Sequence, residues 1–249
     1  MHRAIILVSI IALVLAAALA GLGPAYRADV IDLSQAFGVM RVLALPTLIA
    51  AGLAAIAFVG ALLTARSHAG IALVADLAAG IAGYAPIKMR SLAEANPRIH
   101  DITTDFENPS AIVAAADLPR RNPPAYAGGD MVGETGKSVA DSQRAAFPDI
   151  KPLIVGADVP GTAAKAREVL KSMRMEVLAE SRPEDGGLVI EAVLTTLWFG
   201  FKDDFIVRLA PAEGGTRIDV RSKSRVGGSD LGANAARVRK FLAAMDAAL

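Results

Sequence analysis

Leu188-Val189-Ile190-Glu191-Ala192-Val193-Leu194-Thr195-Thr196-Leu197-Trp198 alternates as a half-buried strand must. Successive side chains of a strand point to opposite faces. Leu188, Ile190, Ala192 and Leu194 therefore share one face, and Glu191 and Thr195 the other. Outward from this stretch, Glu176 to Ala179 reads as the strand before it and Asp204 to Leu209 as the strand after it. Ala212-Glu213-Gly214-Gly215 then turns the chain into Thr216 to Val226. Consecutive strands with short turns predict an antiparallel sheet.

Further upstream, Leu153-Ile154-Val155 is a short strand. Pro160-Gly161-Thr162 opens a helix to about Met173, with Ala163, Ala166, Val169, Leu170 and Met173 at helical spacing. Downstream, Ser229 or Asp230 caps a last helix in which Leu231, Ala235, Val238, Leu242 and Met245 form an apolar stripe; Arg237, Arg239 and Lys240 fall on its polar side. The order strand, helix, four strands, helix predicts an α+β fold, an antiparallel sheet covered by two helices on one face.

The first third of the chain is of another kind. Of 249 residues 53% are hydrophobic and only 20% charged, with a mean hydropathy of +0.44, too apolar for a disordered chain or a coiled coil and unusual for a soluble enzyme. The excess sits at the N-terminus. Ala4 to Tyr26 is uncharged and long enough to span a bilayer, which takes roughly 20 apolar residues. His2 and Arg3 followed by Ala18-Leu19-Ala20 could instead mark a cleaved signal peptide, but a second uncharged stretch, Val42 to Ala65, follows almost at once, with Pro46 placed near its first turn. A third candidate runs from Ala69 to about Ala85, ended by Pro86 and the cations Lys88 and Arg90. It contains Asp76, whose insertion costs ~3 kcal/mol. That carboxyl either marks a functional site or is neutral, or turned to the other helices beside Ala75, Ala78, Ala79 and Gly80. The expected organisation is a membrane anchor over 1–86, an irregular segment over 87–150 rich in Pro, Gly, Asn and Ala, and the α+β domain over 151–249.

Three spans with Arg3 and Arg66 in the cytoplasm place the large domain outside, although Lys88 and Arg90 then lie on the less favoured side; two spans would place it in the cytoplasm. The expected setting is a multi-pass protein of the bacterial inner membrane with a periplasmic domain. Only four of the 26 Lys and Arg and three of the 25 Asp and Glu precede residue 85, leaving 22 of each in the rest of the chain. A neutral extramembrane part has no polybasic block for anionic lipid headgroups or nucleic acid. Zero cysteines exclude disulfides and thiolate chemistry.

Catalytic chemistry is sparse. His100 with Asp101, Asp105 and Glu107 could ligate a hard cation, or His100 and Asp101 could anchor the incoming chain by hydrogen bonds. No nucleophile elbow, phosphate loop or dinucleotide fingerprint is present. Asp203-Asp204 is a carboxylate pair, but neighbours in a strand point apart, so a structural use is expected, with Asp204, Arg208, Arg221 and Arg225 pairing across the ladder. On the last strand Asp219, Arg221, Lys223 and Arg225 share one face. Ile218, Val220, Ser222, Ser224 and Val226 share the other, where the two serines line a cavity mouth or mark the sheet's edge. Trp198, Phe199 and Phe201 crowd beside Gly200 as core, or as a hinge or apolar edge near the bilayer.

Four stretches resemble a known family: Ile99-His100-Asp101-Ile102-Thr103-Thr104-Asp105; Thr195-Thr196-Leu197-Trp198-Phe199-Gly200-Phe201-Lys202-Asp203-Asp204; Asp219-Val220-Arg221-Ser222-Lys223-Ser224-Arg225-Val226-Gly227; and Ser229-Asp230-Leu231-Gly232-Ala233-Asn234-Ala235-Ala236-Arg237. Together they look like domain-of-unknown-function family 1499, found in bacterial membrane-associated and some plastid proteins, over about residues 97–246. Ser110 departs from the family pattern, standing where a second proline after Pro109 is expected. The resemblance implies a fold and a membrane or envelope setting, without an established reaction or cofactor.

The function expected from this reading is a non-enzymatic, membrane-anchored module. Its α+β domain would bind a lipid or apolar ligand between sheet and helix, through Trp198, Phe199, Phe201, Ser222 and Ser224. His100, Asp101, Asp105, Asp203, Asp204, Asp219, Arg221, Arg225, Asp230, Asn234 and Arg237 would form a polar network. The alternative is an envelope scaffold with a solid core, whose charged sheet face, Arg221 and Lys223 included, contacts a protein partner. An enzyme would need Asp203, Asp101 or His100 in a cleft.

Overall fold

A computed structural model describes residues 2–249, which divide into two compact units: the residues up to Ser91 together with Trp198–Gly200, and Leu92–Leu197 together with Phe201–Leu249.

The first unit is built on three helices, each long and apolar enough to cross a membrane: α1 (His2–Arg27), α2 (Leu33–Thr64) and α3 (Ala69–Ala95), the last preceded by a 3₁₀ turn at Arg66–His68. Asp32 starts α2 with a capping box. Its carboxylate accepts the Gln35 N–H at 2.8 Å, and the Gln35 side chain accepts the Asp32 N–H at 2.9 Å. Ala12 and Ala16 of α1, Ala50, Ala51 and Ala54 of α2, and Ala75 and Ala79 of α3 form one buried cluster. Small side chains let helix backbones approach where no water drives them together. Large aliphatics such as Val14, Val42, Ile56, Leu63 and Ile81 point outward. Two expectations are corrected here. Pro46 lies well inside α2, and α3 runs on through Pro86 to Ala95. A proline removes one helical hydrogen bond, and a long apolar helix tolerates that loss.

The second unit holds an antiparallel sheet. Strands β3 (Glu176–Ser181), β4 (Leu188–Thr195), β5 (Lys202–Ala212) and β6 (Gly215–Ser224) are consecutive neighbours. Two short strands share the far edge of β6 end to end. β1 (Asp101–Thr103) lies beside Arg221 to Lys223, and β2 (Leu153–Val155) beside Thr216 to Ile218. The turn between β5 and β6 requires glycine. Gly215 has φ +138°, and a Cβ there would meet the Val155 carbonyl. The outer edge of β1 is closed by α4 (Val139–Ala146), whose Gln143 side chain accepts the Thr103 N–H at 3.1 Å and donates to the Thr103 carbonyl at 2.6 Å.

One face of the sheet carries the apolar core. Leu188, Ile190, Ala192, Phe205, Val207, Leu209, Ile218 and Val220 pack against α5 (Val159–Ser172) and α6 (Ala233–Asp246). The Phe205 and Phe241 rings meet edge-on at 5.3 Å. Asp158 caps α5 through the Gly161 N–H at 2.8 Å. α6 starts instead from Gly232, left-handed at φ +82°, so neither Ser229 nor Asp230 is its cap; Asp230, two residues earlier, accepts the N–H groups of Gly232 and Asn234 at 2.8 and 2.9 Å. The segment expected to be irregular supplies β1 and α4, and its residues 106–127 lie as a strap on the opposite face, while Val132 beyond them joins the helix-side core. Ile112 and Ala115 of the strap pack on Ile206.

Candidate functional site

Register decides which side chains meet under the strap. Asp101, Lys223 and Asp204 lie in one cross-strand row, and Thr103, Arg221, Ile206 and Glu191 in the next. Asp101 is wholly buried and binds Arg221 through two 2.9 Å bonds, with the Lys223 ammonium 3.0 Å away. Burial alone would push the Asp101 carboxyl up. The Arg221 bonds and the charges of Arg221 and Lys223, aided by the Ala127 N–H, outweigh it and hold the group below its ordinary range. Lys223 is pulled down by burial, against Asp101.

The strap completes these pairs with its backbone. Arg221 donates to the carbonyls of Ser110 (2.9 Å) and Pro124 (3.1 Å), and Lys223 to that of Ala125 (2.6 Å). Glu191 accepts the N–H groups of Val113 and Ala114 at 3.0 and 2.9 Å. Pro- and Gly-rich backbone suits this role, because groups not used in a helix or ladder stay free to bond side chains.

A second cluster on the same face joins Arg208 to Asp105 (2.7 Å) and Asp219 (3.1 Å), and Arg217 to Asp219 (2.8 Å). Burial opposes ionisation of Asp105, but the Asn108 N–H and Arg208 hold its carboxyl low. Of the four residues expected to pair across the ladder, Asp204 meets only Arg225, at 2.8 Å; its other partner is Arg120 of the strap, at 2.6 Å.

The opposite face ends in a smaller polar knot. Ser222 donates to Asn234 at 2.6 Å, and Asn234 donates to Ser224 at 3.0 Å and to the His100 carbonyl at 3.2 Å. Arg237, on the polar side of α6, bonds Asn234 and reaches Asp203 at 2.9 Å. Burial raises the Asp230 carboxyl, and burial followed by the Lys223 charge lowers the His100 imidazole.

Two readings are thereby revised. Arg221 and Lys223 are each 1% exposed, so the charged strand face is an interior covered by the strap and not a partner surface. Ser222 and Ser224 bond Asn234 beside a packed core instead of opening a cavity mouth. The His100 ring and the carboxylates of Asp101, Asp105 and Glu107 do not converge: among the described residues no group of three His, Cys, Asp or Glu could hold a metal ion. Arg120, Glu191 and Gln143 were missed. Only the basic pair Arg120-Arg121 within a Pro-rich stretch offered a signal.

The aromatics separate. Phe201 stays with the sheet, its N–H bonded to the Thr196 hydroxyl at 2.8 Å. Trp198 and Phe199 belong to the unit of the apolar helices. The indole N–H donates to the Ala20 carbonyl at 3.0 Å, and the Phe199 ring lies 5.8 Å from those of Tyr26 and Phe37. Gly23 permits this approach, since a Cβ there would collide with Trp198. Next to them in the chain, Leu197 is 84% exposed.

The model of the family DUF1499, described as a protein of unknown function, matches residues 101–245. No curated protein and no solved structure matches the chain. The matched span covers the strap, the sheet and both of its covering helices, while the three apolar helices that mark a membrane-associated protein lie outside it.

Proposed function

We propose, proceeding from a chain that belongs to the DUF1499 family, that this is a non-catalytic protein of the bacterial inner membrane which engages lipid through the turn at Leu197–Phe199. The observation that carries the reading is the membership of Trp198 and Phe199 in the unit of the apolar helices, beside an exposed Leu197. Tryptophan favours the membrane interface, where an apolar ring and a polar N–H are both accommodated. The lipid site expected between sheet and helix is thus moved to the turn. Binding is favoured over catalysis because Asp101 and Asp203 are already engaged by Arg221 and Arg237.

Trp198 is the single tryptophan of the chain, so its emission reports on this turn alone. In full-length protein reconstituted into vesicles, lipids brominated near the headgroup should quench it strongly. Gly23→Leu, which denies Trp198 its seat, should change that quenching. Emission indifferent to brominated lipid in the parent protein refutes the reading. Three spans with a cytoplasmic N-terminus would put the domain in the periplasm. The chain lacks cysteine, so Glu213→Cys at the exposed β5–β6 turn should react with an impermeant maleimide added to spheroplasts; labelling only after lysis contradicts this orientation.

A further inference from the structure

The strap face holds more guanidinium than it satisfies. Arg120 places Nη2 on Asp204 (2.6 Å) and on the Ala115 carbonyl (2.8 Å), yet its Nε and Nη1 are buried without a hydrogen-bond partner. Arg225 gives Nε to the other oxygen of Asp204 at 2.8 Å, and its buried Nη2 makes no hydrogen bond although it lies 2.6 Å from that oxygen. These side chains are 8% and 4% exposed. Two buried guanidiniums therefore share one carboxylate.

The neighbouring anions are committed elsewhere. Asp101 serves Arg221 and Lys223, Glu191 is held by strap amides, and Asp203 faces Arg237 on the other side of the sheet. The exposed Asp130 adds a second anion near Lys223, but Arg120 and Arg225 share the single carboxylate of Asp204. A buried donor left unmade is unfavourable, and more so when charged, so this corner is suited to further negative charge. It lies where the Arg225 N–H bonds the Lys202 carbonyl at 3.0 Å, at the end of the sheet marked by the Thr195–Lys202 pair. Arg121, whose N–H bonds the Arg225 carbonyl at 2.8 Å, is exposed beside it.

The geometry points to a phosphate-binding site at Arg120 and Arg225, filled by the headgroup phosphate of an anionic lipid or by free phosphate. Guanidinium donors match phosphate oxygens in number and direction. The lipid source rests on the reading of the turn given above; the phosphate chemistry does not.

The test titrates full-length protein in neutral detergent with phosphatidylglycerol, with inorganic phosphate at constant ionic strength, and with diacylglycerol as the phosphate-free control, following the unfolding temperature. Phosphatidylglycerol or phosphate should stabilise the parent and Lys240→Gln, a charge change on the exposed side of α6, and half-saturation should weaken about tenfold in Arg120→Gln. Arg120→Lys, which keeps the charge and loses the fork, should fall between and serves if the glutamine variant does not fold. A response to phosphatidylglycerol alone names the lipid, and a response to phosphate names the free anion. Equal half-saturation in parent and variant, or no response to either ligand, overturns the site. Retained Trp198 quenching with flat titrations removes this site and leaves the turn's reading standing, whereas lost quenching with an Arg120-dependent phosphate response does the reverse.

Discussion

On one face of the sheet Phe205, Val207 and Leu209 are buried by two amphipathic helices; on the other, Arg221, Lys223 and Asp101 are as deeply buried beneath a strap that contains no helix or strand. The first burial is driven by removing apolar area from water, about 25 cal/mol per Å². The second requires that every charge be paired and every remaining donor find a carbonyl, because an unpaired buried charge costs several kcal/mol. The first cover can be exchanged for similar side chains. The second depends on where individual backbone groups sit, so it should fail at single residues.

The largest expected effect comes from breaking the strap face at its centre. Asp101→Ala leaves Arg221 and Lys223 buried without their carboxylate and should cost about 3–5 kcal/mol, a large part of the roughly 5–15 kcal/mol typical of a domain. Denaturant unfolding of the full chain in detergent measures it, and a loss below about 1 kcal/mol would mean that the strap face is solvated. The same pair predicts a pH dependence. The Asp101 carboxyl titrates lower in the folded protein than its ordinary 3.8, so its stabilisation is complete above that value and is lost as pH falls below it. Asp101→Asn should flatten the acid limb of the unfolding profile.

A smaller effect is expected on the helix face. Asn234→Ala removes the partner of Ser222, Ser224 and the His100 carbonyl, and should cost about 1–3 kcal/mol. A loss equal to that of Asp101→Ala would erase the contrast between the faces. The smallest belongs to the turn: Leu197→Ser exposes nothing new and should change stability by less than about 0.5 kcal/mol while weakening lipid quenching of Trp198.

Much of the helix face was legible in the sequence, since alternation in Leu188–Leu194 and helical spacing in Ala163–Met173 each report a buried apolar face. The alternation Asp219, Arg221, Lys223, Arg225 has the same period but reads as a solvated face, because periodicity records polarity and cannot record a cover made of irregular backbone. β1 was hidden for a related reason: three residues carry no period, and its edge is closed by one side chain, Gln143. The opposed directions of Asp203 and Asp204 followed from strand geometry alone, but their partners Arg237 and Arg120 come from distant elements.

Amide hydrogen exchange on the full-length protein tests the interior character of the strap most directly. Strap N–H groups of Val113 and Ala114 bond Glu191, those of Arg121 and Asn122 bond the Arg225 carbonyl, and that of Ala127 bonds Asp101. These amides, outside any helix or strand, should exchange as slowly as those of β5 and β6. Exchange at the rate of an exposed loop would contradict the account.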